Sequence, residues 1–195
     1  MAQVSVFNLT YEGTPPWDIG RPQPEIVKLA QAGEITGDVL DVGCGTGENA
    51  LYLVSHGHEV WGIDAAPLAI EKAQGKAAQR GSTATFQVWD ALDLERLGRS
   101  FDTVIDSGLF HTFSNEERRC FTQSLKSVLR SGGTYFMLCF SDLQEGHFGP
   151  RRVSQEEIRE TFGPGWRVNY IREARFASMD SDDGARAWLA SITRL

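Results

Sequence analysis

An apolar run, Val39-Leu-Asp-Val42, leads straight into Gly43-Cys-Gly-Thr-Gly47, and a helical pattern begins at Glu48. Glycines at this spacing let the backbone turn sharply and let a ligand approach without meeting a Cβ. In open α/β sheets such ligands sit beyond the carboxyl ends of the strands, at the switch point. Two ligand chemistries compete for the loop. A dinucleotide site wants G-x-G-x-x-G/A, with the pyrophosphate at the helix N-terminus. This loop reads G-x-G-x-G, and Glu48 occupies the place of the third glycine, where a carboxylate would repel a pyrophosphate. Asp41, two residues before Gly43, would suit a cationic ligand such as an amino-acid ammonium group. Both acids favour a positively charged cofactor over NAD(P).

Three further aspartates fall at strand ends. Asp64 closes EVWGID, where an acid can hold both ribose hydroxyls. Asp90 follows the third strand and can accept from an adenine amine; Asp106 closes FDTVID. A single strand-ending aspartate is commonly an Asx turn. Four in register on one edge, beside a glycine loop, read as a binding edge.

The elements that must carry these residues alternate. Strands are expected at 38–42, 59–64, 83–89, 101–106 and 134–140, with two more at roughly 166–176 and 185–193. Helices are expected from Pro24 to about Ala32, Glu48 to His56, and Pro67 to about Arg80. Capping boxes at Ser114-Asn-Glu-Glu117 and Ser154-Gln-Glu-Glu157 open two more. The first of these should reach Arg130 and be closed by Gly132 and Gly133; the second should end at Gly163. Met and Trp residues after 160 read as sheet packing. The alternation predicts an α/β fold, a mostly parallel sheet with helices on both faces. Residues 1–24, rich in Pro and Gly from Tyr11 onward, form an irregular lead-in to one domain spanning 1–195.

Composition narrows the partners. The 195 residues carry a formal net charge of -7, which disfavours nucleic-acid phosphates. Three cysteines, Cys44, Cys120 and Cys139, are odd in number and widely spaced, so no zinc site or disulfide framework is expected. Met1–Thr10 does not read as a secretory signal. The apolar stretch Tyr135–Phe140 is far short of the roughly 20 residues that span a bilayer. A cytoplasmic protein, monomer or homodimer, off the membrane and off nucleic acid, is the expectation.

DVGCGTG and the acids that follow it resemble motif I and its successors in class I S-adenosylmethionine-dependent methyltransferases. The resemblance is strong over roughly 38–140. Upstream, Thr14-Pro-Pro-Trp-Asp-Ile-Gly-Arg-Pro-Gln-Pro24 resembles the lead-in of the thiopurine and halide/thiol methyltransferase-like group, especially the bacterial branch that methylates heterocyclic toxins and hydroxyquinolones. The resemblance implies a Rossmann-like seven-stranded sheet with an antiparallel last strand. It implies S-adenosyl-L-methionine as cofactor and S-adenosyl-L-homocysteine as product; no metal-binding carboxylate set can be assembled from the sequence, and no metal is expected. It implies backbone contacts at Gly43, Cys44, Gly45 and Gly47, with Asp64 and Ala65 on the ribose and Asp90 and Ala91 on the adenine. Asp106 and Ser107 would line the methionine end, and Trp17 would lid the cofactor with Tyr11 beside it. After the fourth strand stands Asp106-Ser-Gly-Leu-Phe110, without the Asn-Pro-Pro-aromatic motif of amino-methylating DNA and protein-glutamine enzymes.

Candidates for the acceptor pocket are Tyr11, Phe110, His111, Phe113, His147, Phe148, Arg151 and Arg152. Aromatic side chains suit a flat heterocycle by stacking. His111, just past the fourth strand, is the first choice for a base or an acceptor-orienting group. His147 and Phe148 lie in a glycine-flanked loop able to act as a lid, and Arg152 could hold an anionic acceptor. Few residues remain beyond the core fold, so a small acceptor with an oxygen, nitrogen or sulfur nucleophile is expected. Halide or thiol methylation is the alternative within the enzyme class. A non-catalytic S-adenosylmethionine-binding protein is the alternative outside it.

Overall fold

The computed structural model describes residues 8–146 and 149–195. Its strands are β1 (Val39–Val42), β2 (Val60–Asp64), β3 (Thr85–Val88), β4 (Phe101–Ser107), β5 (Leu129–Phe140), β6 (Trp166–Ser178) and β7 (Ser181–Arg194). They form one seven-stranded sheet in the order β3-β2-β1-β4-β5-β7-β6. The first five strands run parallel, β7 lies antiparallel to β5, and β6 antiparallel to β7. This is the expected Rossmann-like sheet.

Side-chain alternation explains why both faces are covered. Leu40 and Val42 of β1, Tyr135 and Met137 of β5, and Trp188 and Ala190 of β7 point to one face. There they meet α4 (Asn115–Val128) and α5 (Gln155–Thr161) through Phe121, Leu125 and Ile158. Val39, Phe136, Leu138 and Leu189 point the other way. They meet α1 (Pro24–Gln31), α2 (Glu48–Ser55) and α3 (Pro67–Arg80) through Ile26, Leu29, Leu53 and Ala73. Each large apolar side chain sealed this way contributes about 1.5–3 kcal/mol.

Helix starts follow local chemistry. Ser114 Oγ accepts the Glu117 N–H at 3.2 Å while Glu117 Oε2 accepts the Ser114 N–H at 2.8 Å. Ser154 and Glu157 repeat the box at 3.1 and 2.8 Å. Pro24 and Pro67 open α1 and α3, where a missing N–H costs nothing.

Two expectations need correction. The helix at 115 stops at Val128, and Leu129 turns extended and joins β5 opposite Phe101. Gly132 and Gly133 therefore lie inside a strand. A Cβ on Gly133 would come within 2.8 Å of the Asp102 and Arg130 carbonyl oxygens, so this glycine serves a close backbone approach rather than a helix stop. Met179 is 55% exposed at the β6–β7 turn, not packed on the sheet; Trp166 and Trp188 are buried. Among the described residues no helix is long and apolar enough to cross a membrane.

Candidate active site

A cavity of about 1260 Å³ opens at the carboxyl edge of β1, β2 and β4. The lead-in covers it on one side. The glycine loop and the ends of β2 and β3 form the floor, and the segment after β4, Phe140 and Phe176 close the far end.

All three loop glycines have positive φ, +70° at Gly43, +53° at Gly45 and +85° at Gly47, a region that side-chain-bearing residues avoid. Gly43, Cys44 and Gly45 line the cavity, and so does Thr46, which the sequence reading passed over. Gly47 does not. A Cβ there would sit 2.6 Å from the Phe86 ring and 3.1 Å from Ala73, so it lets α2 pack on the sheet rather than admit a ligand. The Cys44 thiol is buried, and burial pushes its pKa well up, which leaves it inert.

The strand-end acids divide into two pairs. Asp64 lines the cavity. Its Oδ2 accepts the Gly45 N–H at 2.9 Å and its Oδ1 the Ala66 N–H at 2.8 Å. Burial nonetheless raises its pKa against those bonds. Asp90 also lines the cavity and accepts the Leu92 N–H at 2.9 Å. Ala65 and Ala91 stand beside them on the wall.

Asp41 and Asp106 are absent from the wall, contrary to expectation. Asp106 is fully buried and accepts from the Leu109 and Phe110 N–H groups at 2.8 and 3.0 Å and from the Tyr135 hydroxyl at 2.7 Å. It shapes the turn after β4, and burial raises its pKa to about 7. Its neighbour Ser107 does line the cavity, with a buried Oγ that has no hydrogen-bond partner among the described residues. Asp41 is 1% exposed beneath the loop, and both of its oxygens lack a well-formed hydrogen bond. Burial and the nearby Asp106 push its pKa up to about 8, with the Ala50 amide opposing weakly. Only when it is ionised does its charge reach the cavity, and its atoms do not line the wall.

Glu48 also departs from expectation. Its carboxylate is held by Lys76 at 2.9 Å and by both Arg80 nitrogens at 2.8 and 2.9 Å. Burial would raise its pKa, and those cations bring it below the ordinary range. A neutralised Glu48 repels a pyrophosphate less than its sequence position implied.

The lead-in is sewn to the rest of the protein. Trp17 Nε1 donates to the Tyr11 hydroxyl at 3.1 Å, and the two rings meet edge to face at 6.4 Å. Both line the cavity. Gln23 exchanges two bonds with the Ala177 backbone, each 2.9 Å, and the Met179 N–H donates to the Pro16 carbonyl at 2.9 Å. Asp18, another wall residue not singled out from sequence, accepts from Thr46 at 2.9 Å.

At the far end His111 is 5% exposed, and its Nδ1 accepts the Phe140 N–H at 3.0 Å. Its pKa is lowered to about 3, first by burial and then by Arg118 and Arg152. A neutral ring with Nδ1 engaged carries its hydrogen on Nε2, so His111 is built to donate. Phe110 is fully buried against Phe162 at 5.9 Å and under the Arg118 guanidinium at 4.5 Å, so it is core and not pocket wall. The wall is made instead by Phe140 and Phe176, with Phe113, Arg151 and Arg152. Arg151 pairs with Glu157. Arg152 lies over the Phe140 ring at 5.3 Å. His147 and Phe148 lie outside the described residues.

S-adenosylmethionine suits this donor set. Its ammonium and sulfonium cations would favour the ionised form of the orphaned Asp41, and Ser107 Oγ lines the cavity without a hydrogen-bond partner among the described residues. The diol and adenine match the acids at the ends of β2 and β3. No group of His, Cys, Asp and Glu among the described residues is arranged to hold a metal.

Residues 39–133 match the methyltransferase domain family. The chain is 44% identical over 178 residues to the 2-heptyl-1-hydroxyquinolin-4(1H)-one methyltransferase of Mycobacteroides abscessus, covering 88% of this chain and 78% of that protein. It is 27% identical over 160 residues to the probable thiol methyltransferase 2 of Arabidopsis thaliana, covering 78% and 68%. Its fold superposes with a TM-score of 0.88, at 37% identity and covering 98% and 91% of the chains, on a structure described under the conversion of a disulfide bond into a thioacetal group during echinomycin biosynthesis. Glycine loop, sheet order and relatives agree: the chain belongs to the S-adenosylmethionine-dependent methyltransferases, among those that act on small molecules.

Proposed function

We propose that the methyl acceptor is a flat aromatic or heterocyclic small molecule, methylated on an oxygen, nitrogen or sulfur atom. The observation that carries this reading is the aromatic wall at the far end of the cavity. His111 stands 5.0 Å from Phe140 and 6.1 Å from Phe176, and the two phenyl rings are 5.3 Å apart. Such rings favour a planar partner by offset or edge contact. The relative that methylates a hydroxyquinolone supports the same class. The volume also fits. Pockets for one drug-sized ligand run to roughly 300–1,000 Å³, and about 1260 Å³ leaves room for a cofactor and a sizeable acceptor.

When bound, the cofactor supplies a methyl group on an electron-poor sulfonium. In this reading Gly43, Cys44 and Gly45 approach it with backbone, Asp64 and Ala65 hold the ribose, and Asp90 and Ala91 the adenine. Ser107 meets the methionine end, while Trp17, Tyr11 and Asp18 close over it as one working unit with the rest of 1–195. Their contribution is orientation and exclusion of water, and orientation of two reactants can supply about 7–11 kcal/mol of the barrier. Two of the three free cysteines are buried, which suits a reducing compartment such as the cytoplasm.

Methylation of a thiol is the second reading, favoured by the thiol methyltransferase relative; an aryl thiol satisfies both. The test measures adenosylhomocysteine release against a hydroxyquinolone, phenols, an aryl thiol, a pyridine-type heterocycle, bisulfide and iodide. Turnover with an aromatic member is expected. Turnover with bisulfide or iodide alone overturns the aromatic reading, and binding of cofactor with no turnover at all favours a non-catalytic binder.

A further inference from the structure

One residue joins the two ends of the cavity. Gln23 is buried immediately before α1, where the lead-in ends. Its backbone N–H donates to Asn49 Oδ1 at 2.9 Å, in the first turn of α2 and just past the glycine loop. Its side-chain amide reaches β6 instead. Oε1 accepts the Ala177 N–H and Nε2 donates to the Ala177 carbonyl oxygen, each at 2.9 Å. With an acceptor needed at one position and a donor at the other, the amide has a single orientation.

A grip on Ala177 has consequences for the acceptor wall. β6 is an edge strand of the sheet, and an edge presents backbone N–H and C=O groups that a further strand could pair. The register between β6 and β7 shifts between Phe176 and Ser178, and irregularities of that kind re-aim side chains. Gln23 therefore acts as a one-residue strand neighbour at the point where the ladder slips. The side chain beside that point is Phe176. It is buried at the acceptor end, its ring 5.3 Å from Phe140 and 6.1 Å from His111. A Cβ on Gly108 would lie 3.0 Å from the same ring, so the ring packs directly on the turn after β4. A shift of the β6 backbone would drive it into that turn or draw it away.

The lead-in grips the same hairpin a second time. The Pro16 carbonyl oxygen accepts the Met179 N–H at 2.9 Å and the Ser178 hydroxyl at 3.3 Å. Trp17 and Asp18 follow Pro16 and line the cavity, and Asp18 is tied to Thr46 of the glycine loop at 2.9 Å. Glycine loop, lead-in and aromatic wall are thus parts of one hydrogen-bonded unit.

We propose that Gln23 is a positioning residue for methyl transfer: by holding Ala177 it sets the Phe176 ring for the acceptor, and it couples that wall to the cofactor side, so that an occupied cofactor site completes the acceptor site. The inference rests on the aromatic-acceptor reading above. Gln23 acts through Phe176 and not on the reacting atoms. A cofactor beneath the lead-in favours the gripped hairpin, and an acceptor against Phe176 favours the same arrangement. Two ligands that favour one arrangement strengthen each other's binding by the same factor. The coupling runs through contiguous bonds, from Asn49 through Gln23 to Ala177.

The test titrates two flat probes, 1-hydroxyquinolin-4(1H)-one and thiophenol, into the full chain with and without adenosylhomocysteine. Wild type is expected to bind a probe about tenfold more tightly with adenosylhomocysteine present, within the usual range of such coupling. Gln23→Met keeps the side-chain length and the backbone bond to Asn49 and loses both bonds to Ala177. It should cut the tenfold ratio to about threefold or less, while adenosylhomocysteine alone binds nearly as well as to wild type. In turnover the acceptor KM should rise about fivefold or more, with the KM for S-adenosylmethionine little changed, a split that general loss of stability would not produce. Equal probe affinity with and without adenosylhomocysteine in wild type overturns the inference without any variant. An unchanged ratio in Gln23→Met, or an equal loss of affinity for both ligands measured singly, also overturns it; the aromatic reading survives all three results. Failure of both probes to bind wild type, with adenosylhomocysteine binding intact, sinks that reading and the inference with it.

Discussion

Thr46 Oγ1 donates a hydrogen bond to Asp18 Oδ1 at 2.9 Å and accepts one from Lys76 Nζ at 2.7 Å. The lead-in is thereby latched to the cofactor loop by a charged acceptor, with the Lys76 ammonium 3.8 Å from the same oxygen. Hydrogen bonds to charged groups contribute about 1.5–3 kcal/mol. Asp18→Ala is expected to weaken adenosylhomocysteine binding by about tenfold, or 1.4 kcal/mol, with little loss of melting temperature. Calorimetric titration of the variant beside wild type checks this, and equal affinities would show that the lead-in does not close over the cofactor.

Asp64→Asn replaces one acceptor oxygen by an NH2 group that faces either the Gly45 or the Ala66 N–H, both now donors to it. Donor against donor distorts the loop and removes a ribose acceptor together. Affinity for adenosylhomocysteine should fall by 30-fold or more, about 2 kcal/mol. Unchanged affinity in the same titration would remove Asp64 from the cofactor site.

Asp41 makes stability depend on pH. Its pKa is raised to about 8 in the folded protein by burial and by Asp106, against about 3.9 in an unfolded chain. A raised acid favours the protonated folded form. Its stabilising effect is therefore full below about pH 4 and is lost as pH rises to about 8. Asp106, raised by burial to about 7, acts in the same direction. Asp41→Asn removes that loss, so the variant should gain on wild type progressively between pH 5 and 8, reaching about 1–3 kcal/mol, the cost of a buried unsatisfied group. Denaturant titrations at pH 5, 6.5 and 8 measure it. A gap that stays constant or narrows with pH contradicts the assignment. Above about pH 8, where Asp41 is ionised, the same variant should bind adenosylhomocysteine more weakly, because the ligand's ammonium group loses a nearby carboxylate.

Two glycines should respond in opposite directions. Gly47→Ala places a methyl 2.6 Å from the Phe86 ring at φ +85°, a steric and backbone cost of about 1–3 kcal/mol. Gly75 sits mid-helix in α3, exposed, with nothing within 4 Å of a Cβ. Gly75→Ala should stabilise by about 0.5–1 kcal/mol. Paired thermal melts decide both signs at once.

The sheet was legible in the sequence because its signals are local. Short β-branched runs, glycine turns and two serine capping boxes each act within a few residues, and most elements lie within about three residues of their expected places. The failure at Val128 was also local in origin. Leu129 and Arg130 carry good helix propensity, and only pairing with Phe101 on β4 draws them into a strand. The glycine loop and the acids that follow it pointed to a cationic ligand by residue type and spacing, and the resemblance to class I methyltransferases named S-adenosylmethionine.

The acceptor end was decided by tertiary structure. Phe110 and His111 are adjacent in sequence, yet one is sealed against Phe162 and the other turns to the cavity. Phe140 and Phe176, separated in sequence by the whole of α5 and most of β6, meet only because β7 carries β6 back to the sheet edge. No periodicity marks either of them as a wall residue. The Nδ1 of His111 meets a backbone N–H from another strand, and that contact sets its hydrogen on Nε2. Sequence alone therefore fixed the glycine loop, the strand-end acids and the alternation of the sheet, which depend on neighbours along the chain. Burial, partner and tautomer depend on neighbours across it, and these decided which side chains face the acceptor and what they can do to a proton.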